Sequence, residues 1–391
     1  MTLPNGVDVE AQGGLESITT VERVASLTGI RAVAALLVML THAAYTTGKY
    51  PQGYLGLVYS RMEIGVPIFF VLSGFLLFLP WVKAAASSGA DTAGGVERSP
   101  PPSVRRYAWH RVRRIMPAYA VTVVAAYLVY HYRTAGPNPG HTWEGLFRNL
   151  TLTQIYTDKY LYSFPHQGLT QMWSLAVEVA FYVVLPLLAW LLLVVLCRRS
   201  WRPGLLLTGL VALTTISPLW LIVVHRTDWL PDGARLWLPT FLAWFIGGMM
   251  LAVLQYMGVR AYALACVPLA LVCYFIVSTP IAGEPTTSPD ELREALAKTA
   301  FYAVIATLVV APLALGNRGW YAGFLASRPM VFLGEISYEI FLIHLITMEF
   351  VMVQILRYPI YTGSIVNLFV VTLIVTIPLA WLLHRFTRVK S

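Results

Sequence analysis

Two ionisable residues, Arg31 and His42, share one apolar stretch, SLTGIRAVAALLVMLTHAAY. Charge inside a lipid-spanning helix is costly and marks function by default. Eleven residues are nearly three helical turns, so both side chains fall on one face, separated by about 16 Å along the axis. Arg31 belongs near the cytoplasmic mouth, with His42 lying deep. A cation at the entrance attracts an anionic donor, and an imidazole further in serves as general base on a hydroxyl. The competing structural account is a snorkelling arginine plus a histidine bonded to a neighbouring helix.

A second basic feature is RRYAWHRVRRIMP, which holds Arg105, Arg106, Arg111, Arg113 and Arg114. Arg111 and Arg114 are neighbours on a helix at a spacing of three. Guanidinium forks match phosphate geometry bidentately, although topology and anionic-lipid contact alone would also use such a cluster. The segment TQMWSLAVEVAFYVVLP carries Glu178, with Tyr182 one turn on. A carboxylate in lipid must be protonated or paired; Glu178 is expected to orient His42, hold an acceptor hydroxyl or form a structural ion pair. The stretch FLGEISYEIFLIHL adds Glu335, Glu339 and His344, and its Ser337 and His344 share a face at a spacing of seven. Glu335 falls near the membrane edge, which favours a structural role. Among eight histidines no cluster has metal-ligand spacing. Cys197, Cys266 and Cys273 lie in or at the ends of apolar runs and read as small core residues, with no disulfide framework.

Such residues need helices to place them. Of the 391 residues 57% are hydrophobic and 12% charged, with a net charge of +9 and a mean hydropathy of +0.65. Soluble domains carry about 25% charged residues, so an ordinary soluble protein is excluded. The basic excess fits cytoplasmic loops and not nucleic-acid binding. Apolar runs of about 20 residues imply an all-α polytopic protein. Ten spans are expected at 27–47, 64–83, 116–132, 172–196, 204–224, 236–256, 259–279, 297–315, 331–355 and 363–384. The distribution of lysine and arginine puts both termini in the cytoplasm. Residues 1–24 form a polar tail that is not a signal peptide, 25–386 the membrane domain and 387–391 a short tail with no appended soluble domain. The cytoplasmic loop 84–104 (AAASSGADTAGGVERSPPPSV) is expected to be mobile. The external segment 133–171, with Trp143, Phe147, Tyr156, Tyr160, Tyr162 and Phe164, suits a structured cap. The external loop 281–296, holding Glu284, Asp290, Glu291, Arg293 and Glu294, is expected only to be solvated.

Five blocks in this order make the chain recognisable: SLTGIRAVAALLVMLTH, GVPIFFVLSGFLLF, HRVRRIMPAY, MWSLAVEVAFYVVLP and LGEISYEIFLIHL. They resemble the signature blocks of the membrane acyltransferase-3 family over nearly the whole chain. The resemblance implies ten core helices, an acyl-CoA donor bound from the cytoplasm, and transfer to a hydroxyl of a lipid, glycan or polyketide. Arg31 and His42 match the family's Arg/His pair, Arg111 and Arg114 its RxxR donor-binding motif, and Glu178 its WSLxxE carboxylate. Ser337, Tyr338 and His344 fall in its GxxSYxxYLxH block and are supporting candidates, with Ser73 of the FFVLSGF segment and Tyr182. Two features depart from the pattern: the tail LLHRFTRVKS stands where relatives often have Glu-Arg-Pro, and the esterase-like domain of many relatives is lacking. The transfer is then finished by this chain alone or handed to a separate partner such as a glycolipid exporter. The stretches SLTGIRAVAALLVMLTHAAYTTGKY and GLTQMWSLAVEVAFYVVLPLLAWLL are similar to mycobacterial trehalose monomycolate O-acetyltransferases. That similarity implies acetyl transfer to the mycolate hydroxyl of the glycolipid. Macrolide O-acyltransferases are similar stand-alone relatives.

The expected reaction uses no bound cofactor and takes acetyl-CoA as substrate in a multi-pass cytoplasmic (inner) membrane protein. Arg31, Arg111 and Arg114 grip the donor phosphates, His42 takes the hydroxyl proton, and Ser73, Ser174 and Ser337 are candidate donors to the oxyanion. A covalent acyl-histidine is a variant of the same scheme. A proton-coupled transporter would also bury His and Glu, but no inverted repeat or matching pair of broken helices is visible. A non-catalytic scaffold would need neither the deep ionisable residues nor the arginine cluster. His42→Ala is expected to cut turnover by about 10²–10⁴-fold in a thioester-consumption assay while the protein still folds. Arg114→Ala raises the KM for the donor; an unchanged donor KM would remove its binding role.

Overall fold

The computed structural model describes residues 7–89, 100–132, 138–157, 166–286, 289–316 and 319–388. Among these the secondary structure is helical, and nine helical segments are long and apolar enough to cross a bilayer. Each satisfies its backbone polar groups internally, as lipid requires. The expected span at 259–279 is a shorter apolar helix, Ala263–Val277, of 15 residues. At 1.5 Å per residue it covers about 22 Å of a roughly 30 Å hydrocarbon core.

Helix α1 runs from Val7 to Thr46, and Arg23–Thr46 is its apolar part. Next come α2 (Gly53–Ser60), a 3₁₀ turn (Arg61–Ile64), α3 (Gly65–Gly89) and α4 (Val104–Tyr132). The expected mobile loop 84–104 is therefore shorter than the sequence suggested. Alanine-rich residues after Lys83 continue α3 to Gly89, because alanine favours helix; residues 90–99 lie outside the described ones. The arginine block is itself helical, since α4 begins at Val104, twelve residues before the expected span.

Within the segment expected to be external, α5 (Trp143–Leu150) starts on a Thr142 cap whose hydroxyl accepts from the Gly145 N–H. Trp143 and Phe147 are exposed on it, as a helix lying in the membrane interface presents them. Tyr156 is described; Tyr160, Tyr162 and Phe164 are not. A 3₁₀ turn (Gln167–Met172) leads into α6 (Trp173–Ala189), followed by α7 (Pro203–Thr214), α8 (Ile216–Arg226), α9 (Leu238–Tyr256), α10 (Ala263–Val277) and α11 (Leu292–Ala314). Then follow α12 (Trp320–Leu325), α13 (Arg328–Glu335), α14 (Ser337–Phe350) and α15 (Ile365–Thr387). The expected single span 331–355 is thus broken at Ile336. Gly334 lets α13 cross α1 closely: a Cβ there would come within 2.0 Å of the Thr28 carbonyl oxygen.

The loop expected to be merely solvated is pinned to the bundle. The fully buried Arg61 donates to the carbonyls of Ala282 and Gly283. Asp290 pairs with Arg235 at 2.6 Å, and His225 reaches the Pro289 carbonyl at 3.2 Å. Formal charges on the loop concealed this, because most of its anchors are backbone carbonyls. Cys197, Cys266 and Cys273 are all free thiols.

The core is densest where α3 meets α9. A Cβ on Gly248 would lie 1.9 Å from the Val71 carbonyl oxygen, and one on Gly74 2.0 Å from that of Phe245. Small residues let two helix backbones approach, which is how helices associate where lipid supplies no hydrophobic force. Phe70 and Phe181 stack on opposite sides of the contact against Phe245, at ring-centroid distances of 4.3 and 4.0 Å. Gly248→Val is expected to lower the thermal midpoint in detergent, with a cost of about 1–3 kcal/mol or more. Gly204→Ala, where an added Cβ meets nothing within 4 Å, leaves the midpoint in place.

Candidate active site

Five helices converge on a cavity of about 180 Å³. α1 contributes Arg31, α3 Ser73, α4 Arg111 and Arg114, α6 Glu178 and Tyr182, and α14 Ser337 and Tyr338. Val66, Phe69, Leu72, Leu76, Ile115 and Phe341 are among its apolar walls. Helical periodicity places Arg111 and Arg114 together, one turn apart on α4. The junction with Arg31, more than seventy residues away in sequence, is made by packing.

The charge balance of the cavity is lopsided, with three guanidiniums facing the single carboxylate of Glu178. Oε1 of that carboxylate accepts from the Ser73 hydroxyl and, at 2.5 Å, from the Tyr182 hydroxyl. No guanidinium has a hydrogen-bonded acceptor among the described residues, and Arg111 Nε is buried without a partner. Three cations facing one carboxylate leave an excess of positive charge among largely apolar walls, so the cavity suits a multiply charged anion. Planar arginine forks favour phosphate.

His42 does not line this cavity. It sits on the far side of Phe341, whose ring meets Phe69 at 6.3 Å and His344 at 5.9 Å between centroids. His42 and His344 meet there, with His344 Nε2 3.1 Å from His42 Nδ1. Two backbone carbonyls fix the tautomers. His344 Nδ1 lies 2.7 Å from the Phe341 carbonyl oxygen and His42 Nδ1 2.8 Å from that of Val38. A carbonyl only accepts, so both Nδ1 atoms carry hydrogen. His344 Nε2 then accepts from His42 Nδ1, and the neutral His42 ring keeps its lone pair on Nε2. A bare Nε2 with an anchored Nδ1–H is the arrangement a general base needs. "Deep" also acquires a direction: His42 is four residues from the end of α1 at Thr46, the end remote from Arg31.

Several sequence expectations change. Glu178 does not orient His42; it is tied to Ser73 and Tyr182 in the arginine cavity, and His344 is the histidine's partner. The three serines cannot act as oxyanion donors in this arrangement, because their hydroxyl hydrogens are already committed. Ser73 donates to Glu178, Ser174 to the Gln171 carbonyl at 3.1 Å, and Ser337 to the Gly334 carbonyl at 2.8 Å, which caps the break before α14. Tyr338 donates to the Ile115 carbonyl at 3.1 Å. Glu339 pairs with His384 of the last helix at 2.9 Å, so the C-terminal region that departs from the family pattern anchors α14 and contributes nothing to the cavity lining. Glu335 is exposed. The Phe69–Phe341 wall was missed, since nothing distinguishes two phenylalanines in apolar runs from core. No group of three or more potential metal ligands occurs among the described residues.

The acyltransferase-3 family model, described as an acyltransferase domain, matches residues 24–385. The chain belongs to that family and is a multi-pass membrane O-acyltransferase. It is 26% identical to Acyltransferase MdmB of Streptomyces mycarofaciens over 84% of this chain and 80% of that protein. It is 27% identical to Peptidoglycan O-acetyltransferase OatA of Listeria monocytogenes over 52% of this chain and 29% of that protein. To O-acetyltransferase OatA of Staphylococcus aureus it is 22% identical over 95% of this chain and 58% of that protein. It therefore spans much less than the full length of either OatA. No solved structure matches it.

His344→Phe, which leaves the Val38 carbonyl as the remaining acceptor for His42 Nδ1–H and removes the imidazole packed against His42, is expected to lower kcat by about tenfold or more while donor KM holds. Steady-state kinetics with a thioester donor check this; a rise in donor KM at constant kcat would show His344 acting on donor binding instead.

Proposed function

We propose that this chain moves an acetyl group from cytoplasmic acetyl-CoA to the hydroxyl of a lipid-linked acceptor, with the mycolate hydroxyl of trehalose monomycolate as the acceptor. The carrying observation is the cavity with three guanidiniums lacking protein acceptors at one end and a bare imidazole nitrogen beyond its far wall. Arg31, Arg111 and Arg114 bind the phosphates of coenzyme A, and the thin pantetheine arm passes between Phe69 and Phe341 toward His42. The acceptor oxygen attacks the thioester carbonyl carbon as His42 Nε2 takes its proton. The C–O bond forms, the C–S bond breaks, and the proton returns to the departing thiolate. His344 holds the Nδ1 side of His42 throughout. Glu178 keeps Ser73 and Tyr182 in place beside the arginines and offsets part of their charge. With the termini in the cytoplasm, the acceptor reaches His42 from the outer end of α1. The protein works in the cytoplasmic membrane, and a glycolipid exporter is the partner this topology would serve.

The similarity to Peptidoglycan O-acetyltransferase OatA supports a cell-envelope glycan as the alternative acceptor, and the resemblance to macrolide acyltransferases a polyketide. Purified protein given radiolabelled acetyl-CoA and a mycolate-containing lipid extract, beside His42→Ala, tests the reading. Label in a trehalose glycolipid with wild type alone is the expected result. Label in a glycan or macrolide would replace the acceptor. If no label moves from any short acyl-CoA, the donor assignment falls and proton-coupled flux in liposomes becomes the measurement to make.

A further inference from the structure

A second buried charge constellation lies outside the donor cavity, where α2 gives way to α3. Glu63 Oε1 pairs with Lys298 Nζ at 2.5 Å and accepts from the Tyr302 hydroxyl at 2.9 Å. Lys298 is 4% exposed, whereas the Glu63 side chain keeps 23% of its surface open. Glu63 Oε2 has no hydrogen bond among the described residues. Arg61 and Lys298 bind carbonyls of the 277–286 stretch, so the carboxylate stands on a rigid wall. Holding an ion pair in lipid is costly, and one fully used oxygen beside an unused one leaves a preorganised acceptor.

Its position is fixed against His42. The Thr41 hydroxyl donates to the Ser60 carbonyl at 3.1 Å, and a Cβ on Gly65 would meet the Ala34 carbonyl oxygen at 2.2 Å and Val38 Cγ2 at 2.8 Å. Residues 60–65 therefore run along α1 from Thr41 toward Ala34, with Gly65 against Val38. Val38 is the residue whose carbonyl holds His42 Nδ1. Glu63 acts electrostatically on His42 and is not part of the arginine cavity.

We propose that Glu63, held by Lys298 and Tyr302, is the acceptor-binding group of the site, and that it binds a second hydroxyl of a polyol acceptor while His42 deprotonates the first. The chemistry requires two hydroxyls: an alcohol has one proton, and the hydroxyl that gives it to His42 Nε2 cannot also donate to Glu63. The site then selects acceptors carrying a neighbouring hydroxyl, such as a sugar head group, over simple alcohols. This rests on the general-base reading of His42.

The test uses the full chain in lipid nanodiscs with radiolabelled acetyl-CoA and two acceptors of equal tail length, octyl β-D-glucoside and 1-octanol. Wild type is expected to favour the glucoside by about tenfold or more in kcat/KM, the scale of one hydrogen bond to a charged group. Glu63→Gln brings the two acceptors toward parity, chiefly through the glucoside KM, and Glu63→Asp restores part of the preference. If the single variant fails to fold because Lys298 loses its partner, Glu63→Gln/Lys298→Met removes both charges and gives the same loss of preference. A preference that survives in the Glu63 variants overturns the proposal, as does a wild type that acetylates both alcohols equally or only water. Full activity in His42→Gln would refute the general base instead, and the acceptor ratio would still report on Glu63.

Discussion

Gathering three guanidiniums around one carboxylate in a largely apolar cavity is the constraint on which the rest of this structure depends. The excess positive charge has no hydrogen-bond acceptor among the described residues, and the walls around it are largely apolar. An anion placed there would offset that charge. The surrounding helices hold the lining of the site in place: α3 is locked to α9 by glycine contacts, and the break at Ile336 between α13 and α14 precedes Ser337, Tyr338 and Phe341, which line the cavity. Glu178 partly neutralises the cluster and is itself satisfied by Ser73 and Tyr182. It therefore tunes the charge of the cavity without closing any arginine into a salt bridge.

The same helix that carries Arg31 carries His42, and this separates two tasks in space. One helix turn after another of small and aliphatic residues lies between them, and the Phe69–Phe341 pair closes the line of sight. In the proposed reaction only the slender end of the donor needs to pass that wall, while its charged head stays with the arginines. The wall also keeps the His42–His344 pair apart from three cations that would disfavour an imidazolium. Both imidazoles are oriented by carbonyls of their own helices, so the pair depends on little beyond the packing of α1 against α14.

Legibility in the sequence differed by type of residue. Arg31, Arg111, Arg114 and Glu178 announce themselves, because charge in apolar runs is expensive and rare, and they do share a cavity. His344 was visible as a candidate, but its role as the direct partner of His42 was not; the sequence pointed to Glu178 instead, which is chemically the more obvious partner. Glu63 and Lys298 sit close enough to span ends to read as ordinary boundary charges. Their pairing across about 235 residues is a tertiary fact. The loop at 281–296 misled for a related reason: its acidic side chains suggested solvation, whereas Arg61 and Lys298 hold that region through backbone carbonyls that no sequence pattern displays.

By itself the sequence determined that this is a helical, multi-pass membrane protein of the acyltransferase-3 family, with a basic block and a histidine eleven residues from an arginine on one helix face. Hydrophobic length, charge rarity and helical period are local properties, and local properties survive in one dimension. Only the tertiary structure decided which charges meet: that Glu178 joins the arginines and leaves His42 to His344, that the serine hydroxyls are spoken for, and that Glu63 meets Lys298 and Tyr302. Several of these ionisable side chains find a partner on another helix. Which helix that is depends on close backbone contacts, such as those of Gly65 with α1 and Gly248 with α3, that become specific only once the bundle has assembled.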